Sequence, residues 1–394
     1  MLAHNIYKLS VIKFAKWFML YMPIIGLFYA DNNLSAFQLF IIQAGYSFSS
    51  AVFEIPSGYF ADVVGRRKTL IIGSCMGTLG FTIYALSGSF VAFLCAEIIM
   101  GIGQSFISGT DSAMLYDSVQ HIQQKDAYLK YEGRITSLGG FAETGAALLG
   151  GIIAGVTSLH SVFVVQACIA GLAIPAALLL QEPPRTKLIH TGISQVFRIS
   201  YQSLFVNKKL RTSILFSSGI GMATLAMAWT LQTYFVYHNF TETQTTTLWV
   251  LYNGLVAAIS LFAAYIISKI GEKPLLTSIC VIVPLGFISL GYTPVAFALS
   301  FLVLFHIVRG YATPILKDMI QNDCEPEIRA TILSLRGMII RLGFAIVGPV
   351  IGFMSGKFSF EFAVTVAGIL FLVTAGTLLT MYWASHVYTN KNNW

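Results

Sequence analysis

The sequence has 394 residues, of which 56% are hydrophobic and only 10% are charged. Soluble domains carry roughly 25% charged residues, so this chain has too little polar surface to cover a water-soluble globule, and its solvent must be lipid. A formal net charge of +7 would suit a nucleic-acid-binding protein. The positive residues nevertheless gather in short segments between long apolar stretches, which is a membrane-topology pattern, and we expect no nucleic-acid partner.

The apolar stretches are long enough to form helices that cross a bilayer. A hydrocarbon core of about 30 Å needs roughly 20 apolar residues in an α-helix, and the stretches lack the alternation of barrel strands. We predict an all-α membrane protein with twelve transmembrane helices. The predicted spans are residues 11–30, 36–58, 68–88, 90–118, 134–156, 160–181, 212–236, 247–268, 274–292, 295–318, 331–355 and 360–383.

Lys8 precedes the first of these spans, and Lys13 and Lys16 lie near its start. The span has no small-residue cleavage site at its end. We therefore expect a retained helix and not a removed signal peptide. With an even number of spans and the N-terminus inside, the lysines and arginines fall in the segments on the inner side of the membrane. In the outer loops we find Lys357 alone. The positive-inside rule then predicts a multi-pass protein of the cytoplasmic (inner) membrane with both termini in the cytoplasm.

The chain divides near its middle at a polar, basic segment. Residues 182–211 are predicted to be a cytoplasmic linker between an N-terminal six-helix bundle, residues 1–181, and a C-terminal six-helix bundle, residues 212–394. The halves show a weak internal repeat, because the loop glycines Gly65 and Gly271 match at an offset of 206 residues. Two pseudo-symmetric bundles of this kind are typical of secondary transporters.

Catalytic and metal-binding motifs are missing from the sequence. The five cysteines show neither CxxC nor metal-ligand spacing, and no glycine-rich phosphate loop, nucleophile elbow or HExxH motif occurs. We expect no enzyme activity, no cofactor and no bound metal.

The most specific motif is GYFADVVGRRK, residues 58–68, between the second and third predicted spans. Its glycines allow a tight turn between two helices. Asp62 and the basic triplet place opposite charges at the membrane edge, where they can lock two helices together and release them. A plain topology loop is the alternative. At these residues the chain resembles the major facilitator superfamily, whose signature in this loop is Gly-x-x-x-Asp-x-x-Gly-Arg-(Arg/Lys).

The resemblance covers the whole chain and implies a transporter of two six-helix bundles. It also implies that Asp62 and Arg66 form a charge cluster with Asp117, at the inner end of helix four, which stabilises an outward-open state. The chain departs from the family at Glu97, because many members have an arginine near that place. Structural pairing between helices is the alternative role for Glu54 and Arg336. The residues assigned to gating are Gly58, Asp62, Gly65, Arg66, Arg67, Asp117, Glu54 and Arg336.

Polar residues recur at helical spacing inside the predicted spans. Glu97, Gln104 and Asp111 belong to one stripe of helix four, and helix ten carries His306 and Arg309 at a similar spacing. Such stripes must face water or protein, because lipid cannot form hydrogen bonds with them. We predict that these helices line a substrate cavity; structural pairing, and a packed role for His306, are the alternatives. The predicted cavity residues are Glu97, Gln104, Ser108, His306, Arg309, Arg341 and Asn253.

Buried carboxylates can take up and release protons near neutral pH, because a low-dielectric surrounding disfavours their charge. Glu143 lies near the centre of the fifth predicted span, and Asp111 lies nearer the inner side of the fourth. We predict that these two acids carry a coupling proton and that Glu97 faces Arg309 across the cleft.

The leading hypothesis for function is a secondary transporter that uses protons to export a drug or an amphoteric metabolite. An importer of a nutrient, metabolite or chelate, by proton symport or facilitated diffusion, is the second hypothesis. A receptor-like membrane protein without transport activity is the third. We expect the partners to be a small-molecule substrate, protons and the lipid bilayer, and we expect a monomer.

Overall fold

The structure is a computed structural model that describes residues 4–121, 128–183, 193–325 and 328–391. These residues form α-helices joined by short connections. The helices before residue 184 are α1 (His4–Trp17), α2 (Ile25–Asp31), α3 (Ala36–Val64), α4 (Arg66–Leu86), α5 (Phe90–Ile107), α6 (Thr110–His121), α7 (Tyr128–Val156), α8 (Leu159–Gly171) and α9 (Ala173–Leu178).

The helices of the remaining chain are longer on average. They are α10 (Ile193–Tyr201), α11 (Lys208–Tyr237), α12 (Glu242–Leu261), α13 (Ala263–Ile270), α14 (Glu272–Tyr292), α15 (Val295–Asn322), α16 (Arg329–Lys357) and α17 (Phe360–Lys391). A π-helical turn, Gln202–Val206, follows α10.

Serine side chains fix the start of three of these helices. The Ser35 hydroxyl accepts a hydrogen bond from the N–H of Gln38, whose side chain accepts one from the N–H of Ser35, so α3 begins with a capping box. Ser89 and Ser158 cap α5 and α8 through their side chains. These bonds satisfy N–H groups that a helix cannot pair internally, which favours a helix start at these serines.

Ten helices of the described residues are long and apolar enough to cross a bilayer, when α5 with α6 and α8 with α9 are each taken as one span. An eleventh is obtained if α12 and α13, which meet at a bend of 63°, form one span. The first predicted span, residues 11–30, differs from the expectation, because α1 ends at Trp17 and α2 begins at Ile25. The chain is a multi-pass membrane protein, and the helix predicted for its first span is interrupted.

The chain forms two compact units. The first comprises Met1–His190 with Phe235–Val250, and the second comprises Thr191–Tyr234 with Leu251–Trp394. The predicted linker, residues 182–211, contains α10 and the π-helical turn, while its residues 184–192 lie outside the described residues. The predicted domain boundaries therefore stay a prediction.

Each unit has its own apolar core. In the first unit one cluster joins α1, α4, α6 and α9 through Leu9, Leu70, Met114 and Ala177. A second cluster packs Leu20, which lies between α1 and α2, against α7 and α8. In the second unit, Leu210 and Ile214 of α11 pack with Ile320 of α15 and Ile332 of α16.

Small residues let α5 approach both α3 and α4. A Cβ atom on Gly101 of α5 would lie 2.5 Å from the carbonyl oxygen of Tyr46 in α3. On the other face, a Cβ atom on Gly73 of α4 would lie 2.9 Å from the carbonyl oxygen of Gly103. Such close contacts are typical of helix packing in membranes. They hold α5, which carries Glu97, tightly between its two neighbours.

The two units share a loop conformation. Gly65 joins α3 to α4 with φ 121° and ψ 141°, and Gly271 joins α13 to α14 with φ 86° and ψ 163°. A positive φ of this kind is strained for residues that carry a Cβ atom. The match at the same offset of 206 residues agrees with the internal repeat in the sequence.

Candidate functional site

The break between α1 and α2 is held by two neighbouring helices. Residues 18–24 include Pro23, which has no N–H group to pair. The N–H of Leu20 donates to Oε1 of the fully buried Gln166 in α8 at 2.9 Å. The Leu20 carbonyl oxygen lies so close to α7 that it would collide with a Cβ atom on Gly150. Irregular backbone within a membrane is tolerated when protein surrounds it in this way.

Glu97 is the centre of a hydrogen-bond network inside the first unit and is 4% exposed. Its Oε1 accepts hydrogen bonds from the Tyr84 hydroxyl at 2.9 Å and from Gln43 Nε2 at 3.4 Å. Gln43 also donates to the Tyr29 hydroxyl at 3.2 Å, and the Tyr29 and Tyr84 hydroxyls share a further hydrogen bond. Among the described residues, no cationic side chain lies within ion-pair distance of Glu97. A buried carboxyl group with only neutral donors is least costly when it carries a proton.

Four aromatic rings close the network on one side. The ring of Tyr84 stacks on those of Phe93 and Phe163, with centroids 4.7 and 4.9 Å apart. Phe28 packs on Phe163 with a centroid distance of 4.1 Å. We call these four residues the aromatic cluster; each is at most 1% exposed. The aromatic cluster and Gly65 lie on opposite sides of Glu97. Gly65 is at the start of α4 and Tyr84 is near the end of that helix, and Phe93 lies about one turn before Glu97 in α5.

A cavity of about 110 Å³ lies on the opposite side of Glu97. We call the side of the first unit at which Gly65 lies the Gly65 end. The cavity extends toward this end, because α5 lines it from Glu97 to Ile107, a rise of about 15 Å, and α1 lines it with Ile12. The polar residues of its lining are Lys16, Tyr21, Tyr46, Ser74, Thr78, Glu97 and Gln104.

The two acids predicted to carry a proton have different surroundings. Glu143 is half-buried in α7 and, like Glu97, lies near the Tyr21 hydroxyl. Asp111 is 9% exposed at the start of α6, and its Oδ2 lies 3.2 Å from Lys13 Nζ. Glu143 and Glu97 therefore lie around the break in the first span, whereas Asp111 belongs to an ion pair nearer the Gly65 end. Their role in proton coupling stays a prediction.

We call the connection between α3 and α4, Gly65 with Arg66 and Arg67, the Gly65 loop. Its arginines contact α6 and the segment that follows α9. Arg66 forms an ion pair with Asp117 of α6 and donates to the carbonyl of Ala113. The N–H groups of Arg66 and Arg67 donate to the two carboxylate oxygens of Glu182 at 2.9 and 2.7 Å. Glu182 thus caps the start of α4, where the helix dipole favours an anion.

The remaining gating candidates of the first unit lie in α3. Asp62 is exposed in the last turn of this helix, and Glu54 is half-buried more than two turns earlier. Gly58 has open space around the position of a Cβ atom. The structure brings Arg66 and Asp117 together, and the gating role of the loop stays a prediction.

The predicted residues of the second unit are spread over three helices. His306 in α15 is 4% exposed, donates from Nδ1 to the Leu302 carbonyl at 2.7 Å and stacks on Tyr252 at a centroid distance of 4.4 Å. This is a packed surrounding for the histidine. Arg336 Nε donates to Ser217 Oγ at 2.5 Å and so joins α16 to α11. The other predicted residues of this unit are half-buried: Asn253 in α12, Arg309 in α15, and Arg336 and Arg341 in α16.

A buried acid joins three helices of the second unit at the end of α15. The Asp323 side chain is 5% exposed, and its carboxylate lies 2.8 Å from Lys209 Nζ and 3.1 Å from His386 Nε2. It also accepts a hydrogen bond from the Ser213 hydroxyl. Burial alone would raise the pKa of Asp323, but hydrogen bonds from His386, Lys209 and Ser213 hold that pKa below its ordinary value. We call these four residues the Asp323 cluster.

Sequence analysis did not select Tyr29, Tyr84, Glu182 or Asp323. Asp323 lies 206 residues after Asp117, the offset that relates Gly271 to Gly65, so the repeat contains the signal that identifies it. The tyrosines have no such signal, because only packing distinguishes them from the other tyrosines. Among the described residues, no group of three or more His, Cys, Asp or Glu side chains is arranged to hold a metal ion.

A multi-pass helical protein with two units, a charged loop between helices and a polar cavity inside a bundle is a membrane transporter by class. The chain belongs to the Major Facilitator Superfamily, whose family model matches residues 10–348. The resemblance in the GYFADVVGRRK loop is thereby confirmed.

Relatives of known name include drug exporters. Multidrug resistance protein 2 of Bacillus subtilis (strain 168) is 23% identical over 378 residues, which are 92% of this chain and 90% of the relative. Drug efflux pump JefA of Mycobacterium tuberculosis (strain CDC 1551 / Oshkosh) is 25% identical over 194 residues, 47% of this chain and 38% of JefA. The solved nucleoside transporter NupG superposes with a TM-score of 0.77 at 16% identity, covering 97% of this chain and 99% of NupG. The predicted all-α major facilitator fold is confirmed.

Proposed function

We propose that this transporter exports a lipophilic or amphoteric small molecule from the cytoplasm in exchange for protons. The observation that carries the proposal is the buried Glu97 carboxyl group, which has only neutral donors among the described residues and borders a cavity. The similarity to Multidrug resistance protein 2 over 92% of the chain supports export of a drug-like molecule.

The physical basis of coupling is the cost of a buried charge. A carboxyl group in this position is tolerated when it is protonated, and it loses its proton when water or a cation reaches it. A conformational change that alters the hydration of Glu97 therefore changes its protonation. Glu143, which also lies near Tyr21, extends the same site, and Asp111 remains a proposed second carrier nearer the Gly65 end.

Substrate contacts are proposed on both halves of the chain. Glu97 and Gln104 line the cavity of the first unit. Ser108, Asn253, His306, Arg309 and Arg341 complete the proposed set.

Gating is proposed at the Gly65 loop, where Arg66 pairs with Asp117 and Glu182 caps α4. The Arg66 and Asp117 side chains are 14% and 19% exposed. Two access states of nearly equal free energy respond to a difference of even about 1 kcal/mol between them. We also propose the cytoplasmic membrane as the location, cytoplasmic termini and a monomeric transporter.

Uptake into inside-out membrane vesicles with an acidic lumen tests the proposal. Ethidium, a lipophilic cation, and an amphoteric fluoroquinolone serve as probes. We expect uphill accumulation of at least one probe, and its loss when the pH gradient is collapsed. Glu97→Gln removes the titratable group at nearly constant size, so this variant should lose uphill accumulation and retain exchange of bound probe across the membrane.

The matched control is Asp318→Asn, which neutralises an exposed acid of α15 and should leave accumulation unchanged. Accumulation only in right-side-out vesicles would identify an importer. Uphill accumulation by Glu97→Gln at the parental level would exclude Glu97 as the carrier, and Glu143→Gln and Asp111→Asn would then be measured. Absence of flux for every probe would contradict export of these two classes.

A further inference from the structure

Glu97 has unequal surroundings on its two sides. Toward the aromatic cluster it meets the rings of Tyr84 and Phe93, which are at most 1% exposed, so bulk solvent does not reach it from that side. Toward the Gly65 end it borders the cavity of about 110 Å³. Both hydrogen bonds from Tyr84 and Gln43 end on Oε1, so Oε2 is the oxygen left for a donor in the cavity.

The cavity has the size and polarity that ordered water needs. A cavity needs at least about 10–15 Å³ and two to four polar partners to hold one water molecule, so this cavity has room for several water molecules. Glu97 and Gln104 both line it and are separated by a rise of about 10 Å along α5. The Gln104 side chain makes no hydrogen bond to another described residue, and the oxygens of Ser74 and Thr78, which donate to backbone carbonyls, can still accept from water.

We propose that Glu97 exchanges its proton with the Gly65 end of the first unit through water in this cavity, inside the six-helix bundle. In this step the O–H bond of the Glu97 carboxyl group breaks and its proton passes to a cavity water, leaving a carboxylate and a hydronium ion; the reverse step restores the acid. The inference rests on the proposed function for its use in transport, and it assigns the proton step to water in the cavity that Glu97 and Gln104 line.

Other titratable groups surround this path. Lys16 and Tyr21 face the cavity from the first span, and Tyr46 faces it from α3. Tyr29 and Tyr84 lie on the side of the aromatic cluster, and Glu143 of α7 lies near Tyr21. Because Lys16 lines the same cavity, its positive charge offsets that of the carboxylate after the proton has left.

Gly77 of α4 offers a direct way to block the path. It lines the cavity, and apart from the adjacent part of α4 no heavy atom lies within 4 Å of the position of its Cβ atom, so a larger side chain there enters open space. Gly77→Leu should fill the cavity, and Gly77→Ala should fill a part of it while favouring the helix. Gly376 of α17 also has open space around its Cβ position but does not line the cavity, so Gly376→Leu is the matched control.

The test is infrared difference spectroscopy on the purified transporter in lipid nanodiscs, without substrate. The C=O stretching band of the protonated Glu97 carboxyl group is assigned by its loss in Glu97→Gln. After a rapid change from H₂O to D₂O, the deuterium shift of this band should be about tenfold slower in Gly77→Leu and intermediate in Gly77→Ala, because the water path is filled. Gly376→Leu should exchange at the parental rate.

An unchanged rate in Gly77→Leu and Gly77→Ala would overturn the inference. So would a protonated-carboxyl band that Glu97→Gln leaves intact at every pH tested. If Gly77→Leu does not give a monodisperse protein, the comparison of Gly77→Ala with the parent decides the matter. No transported compound enters the measurement, so failure of the export assay and failure of the proton path are distinguishable.

Discussion

Tyr84 and Gln43 hold the Glu97 carboxyl group directly, and the Tyr29 hydroxyl forms hydrogen bonds with both of them. Tyr84 donates to Glu97 and shares a hydrogen bond with Tyr29, while its ring belongs to the aromatic cluster. The sequence predicts the polar position of Glu97, because a helical stripe of polar residues inside an apolar span indicates a face that meets water or protein. It cannot predict the tyrosines, because an aromatic residue in a membrane span is compatible with lipid, core or site.

Tyr84→Phe separates the hydroxyl of Tyr84 from its ring. The substitution keeps the ring contacts with Phe93 and Phe163 and leaves Tyr29 and Glu97 with one hydrogen-bond partner fewer. Because both groups stay buried, we expect a loss of about 1–3 kcal/mol in the free energy of unfolding. Thermal unfolding of the purified protein in detergent measures the effect. Tyr59→Phe, at a tyrosine that is 45% exposed, should melt like the parent, and equal melting of Tyr84→Phe would contradict the network.

At the scale of helices, hydropathy predicts where the chain crosses the membrane but not where a crossing is interrupted. Residues 11–30 are apolar enough for one continuous helix, and α1 nevertheless ends at Trp17. The break depends on Pro23 together with the Gln166 side chain and the close approach of Gly150 to Leu20. The last two partners lie more than 120 residues away in the sequence, so local composition carries no signal of them.

The Asp323 cluster makes a prediction about pH, because it joins α11, α15 and α17. The pKa of Asp323 is lowered by its donors in the folded protein. Its contribution to stability is therefore present above the ordinary carboxyl pKa of about 3.8 and is lost as the pH falls through the lower, folded value. Asp323→Asn should cost about 1–3 kcal/mol at neutral pH, and the difference from the parent should shrink as the pH falls below about 4.

Thermal unfolding of the parent and of Asp323→Asn over a series of pH values checks this prediction. Asp318→Asn, which changes an exposed acid of the same helix, should follow the parent at every pH. A constant difference between Asp323→Asn and the parent down to the lowest pH at which both fold would show that the ionised carboxylate is not the source of the stability.

At the scale of the whole molecule, composition, the repeat and the GYFADVVGRRK loop are together sufficient to predict the fold family. Few charges, long apolar stretches and matching loops at Gly65 and Gly271 indicate two similar helical halves, and the family match confirms the fold. The sequence does not predict which partner each acid binds. Asp111 pairs with Lys13, and Glu182 accepts from the N–H of Arg66, so both contacts join distant parts of the chain.

The orientation in the membrane decides what the proposed proton path means for the cell. Lys68 and Ser87 lie at opposite ends of α4, which rises about 28 Å between them, close to the thickness of a bilayer core. The positive-inside rule predicts that Lys68, with Arg66 and Arg67, lies in the cytoplasm. In a background without the five native cysteines, a membrane-impermeant maleimide should label Ser87→Cys in intact cells and Lys68→Cys only in inside-out vesicles. The reverse pattern would place the Gly65 end outside the cell. The cavity would then supply Glu97 with protons from the outer side, and the proposed direction of exchange would have to be reversed.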